Sequence, residues 1–332
     1  MTVIFTLFAK RLRLSNPWNY KAPVLVSVTY LAMLAFEFPL LEALKGFSWS
    51  LCTIIGIAGF GYLSNDLGDR DADRKAGKPN LLSELPLLQI LALLLLFLAL
   101  AILPWLLYFP LNLLTGSLLA AEFLLFVLYV LPPFRLKERG LLGVVTDALY
   151  AHANPALLAA LTYAALAGKE PEALAPAFFV LVGWQLALGM RNILLHQLKD
   201  AENDRISGIR TFVTQMGEAK TQHWLKYAFV PLELFSWVAL LVTLASVSWL
   251  PLLAWPVFLL WQFPKQGSKG DLRQRLYAYL DDFYIPYFPL LILLSLCVQD
   301  WRMVVLAVLH VLLFKNALSN ARNRLFHWIR KA

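Results

Sequence analysis

Asn65-Asp66-Leu67-Gly68-Asp69-Arg70-Asp71-Ala72-Asp73 places four carboxylates within nine residues of a chain that is otherwise mostly apolar. Read as a helix end, Asn65, Asp66, Asp69 and Asp73 share one face, because residues three and four apart are neighbours on a helix. Asp71 points elsewhere. Several carboxylates on one face cannot be buried without compensation, since like charges raise each other's pKa and desolvation is unfavourable. A divalent cation is the simplest compensation. Oxygen ligands suit Mg2+, which is usually held by a few carboxylates together with substrate phosphates. The bland alternative is a solvated cap between two spans, but ionisable clusters at a membrane edge are functional by default.

The surrounding chain supplies the setting. Its 332 residues are 60% hydrophobic and only 15% charged, with a mean hydropathy of +0.64. A soluble domain carries about 25% charged residues, so the chain reads as an all-α polytopic membrane protein. The net charge of +8 then points to cytoplasmic loops and not to nucleic acid. Cys52 and Cys297 both sit in apolar runs far apart, a spacing that suggests no disulfide. A short apolar start followed by Lys10, Arg11 and Arg13 reverses the order of a cleavable signal, so residues 1–22 read as a cytoplasmic leader.

A span needs about 20 apolar residues. Candidates fall at 23–44, 48–63, 86–108, 111–131, 142–167, 175–198, 225–247, 249–263, 283–298 and, more weakly, 303–318. Residues 299–332 thus form a possible extra helix and a basic tail, and 1–332 reads as a single transmembrane domain. With the N-terminus inside, 26 of the 29 Lys and Arg face the cytoplasm, and only Lys45, Lys169 and Arg302 lie outside. This bias supports an even number of spans with both termini cytoplasmic. Every Asp-rich loop lies on that same side, where soluble co-substrates and Mg2+ are available. The expected location is the cell (inner) membrane of a bacterium. No feature suggests an obligatory protein partner.

After the sixth span comes a second polar stretch, His196-Gln197-Leu198-Lys199-Asp200-Ala201-Glu202-Asn203-Asp204, with Gly208 four residues on. His196, Asp200 and Asp204 are each four apart and line one helix face; Gly208 fits a helix C-terminus. Two acidic helix ends on one side of the membrane can face each other and hold Mg2+ ions that clamp a diphosphate. Arg135 and Lys137 in the loop after the fourth span could neutralise its remaining oxygens, with Arg70, Lys75, Arg191 and Arg210 as further candidates. A diphosphate beside Leu, Phe and Trp suggests an isoprenoid substrate. Stabilising the departing diphosphate would let the allylic C–O bond ionise, and a dry pocket would keep the cation for an electron-rich acceptor. Asp147, His152 and Asn154 lie within the fifth span, where polar groups either touch an acceptor or hydrogen-bond neighbouring helices. Glu37 and Glu122 read as packing residues.

Asn65-Asp66-x-x-Asp69-x-x-x-Asp73 resembles the first signature of the UbiA superfamily of intramembrane prenyltransferases, and Asp200-x-x-x-Asp204-x-x-x-Gly208 resembles its second. Tyr129-Val-Leu-Pro132-Pro133-Phe-Arg135-Leu-Lys137 looks like the family's tyrosine-to-lysine loop, in the Pro-Pro form of chlorophyll-synthase-like members. The resemblance implies a bundle of nine to ten transmembrane helices around a central cavity open near the cytoplasmic side. It implies Mg2+-dependent transfer of a prenyl group from an allylic isoprenoid diphosphate to a lipophilic or aromatic acceptor. Asn65, Asp66, Asp69 and Asp73 would serve one metal ion, and Asp200 and Asp204 the other. Asp66, Asp69, Asp200 and Asp204 would carry the catalysis. Asn65, Arg135 and Lys137 would bind the diphosphate, to which the residue positions alone add Arg70 and Arg191. The tyrosine stands six residues before Arg135 and eight before Lys137, so either base could take the family lysine's place. An intramembrane terpene cyclase would use the same ionisation with an internal alkene as nucleophile. A transporter would instead spread its ionisable residues to mid-membrane and both faces.

Overall fold

The computed structural model describes residues 15–75, 77, 80, 82, 85–206, 208–266 and 272–319, without the side chains of 15–17, 71, 72, 75 and 263–266. The leader up to residue 14, Lys78, the tail beyond 319 and the side chains of Asp71 and Lys75 lie outside the described residues. All regular structure among the described residues is helical.

Six helical stretches are long and apolar enough to cross a membrane: Leu40–Arg70, Leu87–Leu107, Leu113–Val130, Pro171–Ile206, Glu218–Leu244 and Leu272–Gln299. Shorter apolar helices run over Ala22–Ala35, Leu250–Gln262 and Trp301–Leu313. The fifth expected span is helical too, as Leu141–Ala148, a π-helical turn Leu149–Ala153 and Asn154–Leu166. It carries Asp147, His152 and Asn154, which set it apart from the uniformly apolar stretches.

The first span differs from the sequence reading. The apolar run 23–44 is broken, because the helix Ala22–Ala35 ends at Phe36. Glu37 takes a positive φ of 54°, Phe38 N–H donates to Met33 O at 3.0 Å and Glu37 N–H to Leu34 O. This is the bond pattern of a left-handed helix stop, and Pro39 follows it. The next helix therefore begins at Leu40, eight residues before the expected start of the second span, and runs 36 residues to Lys75. At about 1.5 Å per residue it is about 54 Å long, well over the ~30 Å hydrocarbon thickness. Its acidic end can stand clear of the lipid on an unbroken helix.

The contact pattern divides the chain into two compact units, one holding 49–237 and the other 15–48 with 238–319 among the described residues. In the first unit, Leu63 of the long helix packs with Leu82, Ile90 and Phe97. Leu87–Leu107 turns Leu88, Leu91, Leu95, Leu103 and Leu106 outward. A helix that exposes this much leucine has lipid as its natural solvent. Leu113–Val130 starts with a capping box between Asn112 and Thr115. The π turn precedes Pro155, whose missing N–H removes one bond of the α ladder. Pro231 follows a second π turn, Leu225–Phe229, in the same way. In the second unit, Ala22–Ala35 packs along Tyr287–Gln299. Tyr30 and His310 share a buried hydrogen bond of 3.2 Å, and Ser248 and Ser295 one of 2.6 Å.

Candidate active site

Both acidic motifs, the basic loop and the polar part of the fifth span belong to the first unit. The first motif occupies the last turns of the helix Leu40–Lys75, with Asn65, Asp66, Asp69 and Asp73 half-buried. Gly68 sets the approach of this end to the helix Leu113–Val130. A Cβ there would stand 2.0 Å from Val130 Cγ1, closer than any side chain could be accommodated without movement, so only glycine permits this crossing.

That crossing brings the basic loop onto the acidic end. Lys137 Nζ hydrogen-bonds Asp69 Oδ1, and an Arg135 amino group lies 3.5 Å from the same oxygen. Arg135 also donates to Glu138 at 2.5 Å and to Gly68 O at 3.4 Å. Its backbone is left-handed, with φ 40° and ψ 54°. A non-glycine residue there is strained, and Arg135 N–H is held on Leu131 O at 2.9 Å. Both bases offered for the diphosphate therefore stand at the first acidic motif, and the Pro132–Pro133 bond preceding them is cis.

A residue that the sequence did not single out completes this end. Buried Asn80 donates from Nδ2 to Asp73 Oδ2 and to Asp66 O, each at 2.8 Å, and accepts from Leu82 N–H at 2.9 Å. One amide thus ties the following segment back onto the acidic face.

The second motif ends the helix Ala175–Ile206. Gly208 takes a φ of 70°, its N–H bonds Arg205 O at 3.2 Å and Ile209 N–H bonds Asp204 O at 2.9 Å. These are the two bonds of a Schellman stop, as the sequence suggests for Gly208. His196 Nδ1 lies 3.4 Å from Asp200 Oδ2 on the exposed face. Beyond the stop, Gln215 Nε2 donates to Arg210 O at 2.8 Å and to Glu138 O at 3.2 Å. The segment after the second motif is thereby fastened to the same basic loop that reaches the first.

Tyr129, at the end of its helix, packs edge-on against Tyr150 of the fifth span. Behind it Tyr150, Phe126, Phe60 and Phe123 form an aromatic wall: Tyr129–Tyr150 at 5.1 Å, Phe126–Tyr150 at 4.4 Å, Phe60–Phe126 at 6.1 Å and Phe60–Phe123 at 5.0 Å between ring centres. Tyr150 O–H donates to buried Asp147 at 2.5 Å. Gly189 lets the second acidic helix approach here, since a Cβ would stand 2.8 Å from Ala148 Cα.

Arg191 stands elsewhere than the sequence reading offers it. Its side chain is fully buried and forks onto equally buried Glu233, with bonds of 2.6 and 3.0 Å. A guanidinium so engaged is a packing element with its carboxylate already in place. Asn154 of the fifth span donates to Glu122 at 2.6 Å and to Leu118 O at 3.0 Å. Arg70 is half-buried on the first acidic helix, and Arg210 is exposed.

Among the described residues no three His, Cys, Asp or Glu side chains converge into one metal-binding cluster. Asp69 instead meets cations and Asp73 an amide. The donor chemistry still fits Mg2+: the acidic faces offer oxygen atoms and no sulfur, and this ion needs only one or two protein carboxylates besides phosphate and water.

Comparison with known proteins places the chain in a family. The family model of the UbiA prenyltransferase family matches residues 25–284. A lycopene elongase/hydratase of Haloferax volcanii is 37% identical over 129 residues, 39% of this chain and 36% of that protein. One of Haloarcula japonica is 34% identical over 235 residues, 68% of this chain and 74% of that protein. The match to the first of these spans about a third of its length. In fold, the chain is similar to a UbiA homolog from Archaeoglobus fulgidus solved with DMAPP and Mg2+, at a TM-score of 0.51 and 17% identity, covering 93% of this chain and 99% of that one. Its sequence match, its helical fold and its apolar helices together make this chain an integral membrane protein of the UbiA prenyltransferase family, a prenyl-transferring enzyme.

Proposed function

We propose that the enzyme takes an allylic isoprenoid diphosphate and joins its prenyl group to a terminal double bond of a long acyclic polyene, a lipophilic acceptor of the lycopene class. The observation that carries the diphosphate half is the meeting of Lys137 and Arg135 with Asp69. A basic pair already oriented at the acidic face can bind diphosphate oxygens without rearranging the helix. The polyene half rests on the two relatives, both lycopene elongase/hydratases, and on the aromatic wall behind Tyr129.

Asn65, Asp66, Asp69 and Asp73 on one helix, and Asp200 and Asp204 on the other, would hold Mg2+. Bound there, Mg2+ supplies charge stabilisation for the departing diphosphate. Lys137 and Arg135 hold the non-bridging oxygens, with Asn65 and Arg70 beside them on the same helix. Asn80 keeps Asp66 and Asp73 in register. Phe60, Phe123 and Phe126 exclude water from the reacting carbon, so the allylic cation meets an alkene before a hydroxide. We assign Arg191 to holding its helix and not to the diphosphate. One family model runs across both compact units, which supports one catalytic transmembrane domain. The basic-residue bias supports placing the acidic ends and both termini on the cytoplasmic side.

The test is pyrophosphate release by the purified protein in detergent with Mg2+, dimethylallyl or longer allylic diphosphates, and a panel of acceptors including lycopene. Asp66→Ala and Asp200→Ala are each expected to lower the rate by about 10²–10³-fold, the usual loss when a preorganised stabiliser of transition-state charge is removed. EDTA should stop the wild-type reaction. Full activity in both variants would sink the assignment. Product mass separates transfer to an acceptor from cyclisation, which yields a terpene and leaves the acceptor untouched.

A further inference from the structure

Joining a prenyl cation to an alkene leaves one proton to be removed, and the acidic faces described above are committed to the diphosphate. The fifth span holds a separate acid–phenol pair. Asp147 is buried, and the only hydroxyl that bonds it among the described residues is that of Tyr150, at 2.5 Å. Tyr150 sits half-buried in the π turn Leu149–Ala153, against Phe126 and edge-on to Tyr129, with which its hydroxyl also shares a hydrogen bond. Tyr129 in turn ends the helix whose Val130 abuts Gly68, next to Asp69 on the first acidic helix. π turns recur at functional sites because they re-aim side chains within a continuous helix. This one presents a phenol at the boundary between aromatic wall and acidic faces, backed by a carboxylate.

We propose that Tyr150 and Asp147 take up the proton released when the prenylated acceptor cation is quenched, Tyr150 as the group meeting the cation's environment and Asp147 as a positioning residue behind it. The inference rests on the polyene-transfer reading. The allylic C–O bond breaks and its electron pair leaves with the diphosphate. The acceptor's terminal C=C pair forms the new C–C bond and leaves a tertiary carbocation. A neighbouring C–H bond then gives its pair to a new C=C, or a water oxygen gives a lone pair to a new C–O bond. Either outcome releases a single proton. The Tyr150 oxygen accepts it while the phenol's own proton moves to Asp147 Oδ1, so the carboxylate ends as the acid and the phenol is regenerated. The same pair thereby serves elongation with or without hydration. Its geometry decides how readily the cation is quenched within the site.

The experiment compares wild type, Tyr150→Phe and Asp147→Asn in detergent with Mg2+, dimethylallyl diphosphate and lycopene, measuring pyrophosphate and prenylated lycopene separately. Tyr150→Phe keeps the ring and its packing, so it guards against a folding defect in the Asp147 variant. Prenylated product is expected to fall by about 10²-fold in both variants, the low end for loss of a general base. Pyrophosphate release should fall less, so the ratio of pyrophosphate to product rises and dimethylallyl alcohol accumulates. A merely structural role would lower both together and leave the ratio unchanged. An unchanged ratio in Tyr150→Phe overturns the proposal while wild-type transfer leaves the functional reading intact. No prenylated product from wild type overturns that reading, and this proposal with it.

Discussion

The two acidic helix ends carry the same kind of residue and are held in opposite ways. The first is held at its tip: Asn80 clamps Asp66 and Asp73, and Lys137 and Arg135 sit on Asp69. At the tip of the second, Asp200 pairs with exposed His196 across one helix turn. This end is held instead nine residues lower, by the buried Arg191–Glu233 fork, and by the Schellman stop at Gly208. One end is preorganised by side chains that touch the carboxylates, the other by its backbone and by the packing beneath.

The largest effect expected from disturbing this difference is Glu233→Ala. It takes the carboxylate away from a buried guanidinium, and breaking such a pair destabilises by about 3–5 kcal/mol. Thermal unfolding in detergent should show a large drop, and Arg191→Met with Glu233→Leu should restore much of it. If Arg191 served the diphosphate, the double variant would stay inactive even when refolded. Asn80→Ala is the middle case. Losing a buried amide that bonds Asp73, Asp66 and Leu82 costs about 1–3 kcal/mol of stability, a smaller drop in thermal unfolding than Glu233→Ala, with a fall in kcat/KM as the acidic face loosens. The smallest effect belongs to His196→Ala. An exposed i, i+4 pair contributes about 0.3–0.5 kcal/mol, so activity near wild type is expected, and a large loss would show that the second tip is more tightly organised than its exposure implies.

The sequence made much of this site legible because its signals are local. Helical spacing aligned Asn65, Asp66, Asp69 and Asp73, and glycine at position 208 marked the stop that the structure builds there. The apolar runs marked out most of the helices. The first run misled, since 23–44 reads as continuous grease although Pro39 cannot extend a helix that has ended at Phe36. Asn80 and Gln215 were not legible: each is one amide in a polar segment, and its partners lie on other elements. The partner of Arg191 was not legible for the converse reason. Arg191 stands two turns before an acidic motif, but Glu233, 42 positions away, claims it.

By itself the sequence determined that the chain is built of apolar helices suited to lipid and that two acidic stretches end helices. Those properties follow from composition and from the 3.6-residue period, which act over a few turns. Only the tertiary structure decided which cation meets which carboxylate. It put Lys137 and Arg135 on Asp69, withdrew Arg191 into a buried fork and set Tyr150 against Asp147 at a π turn. Such pairings depend on how closely helices cross, and here a missing Cβ at Gly68 or Gly189 sets that distance.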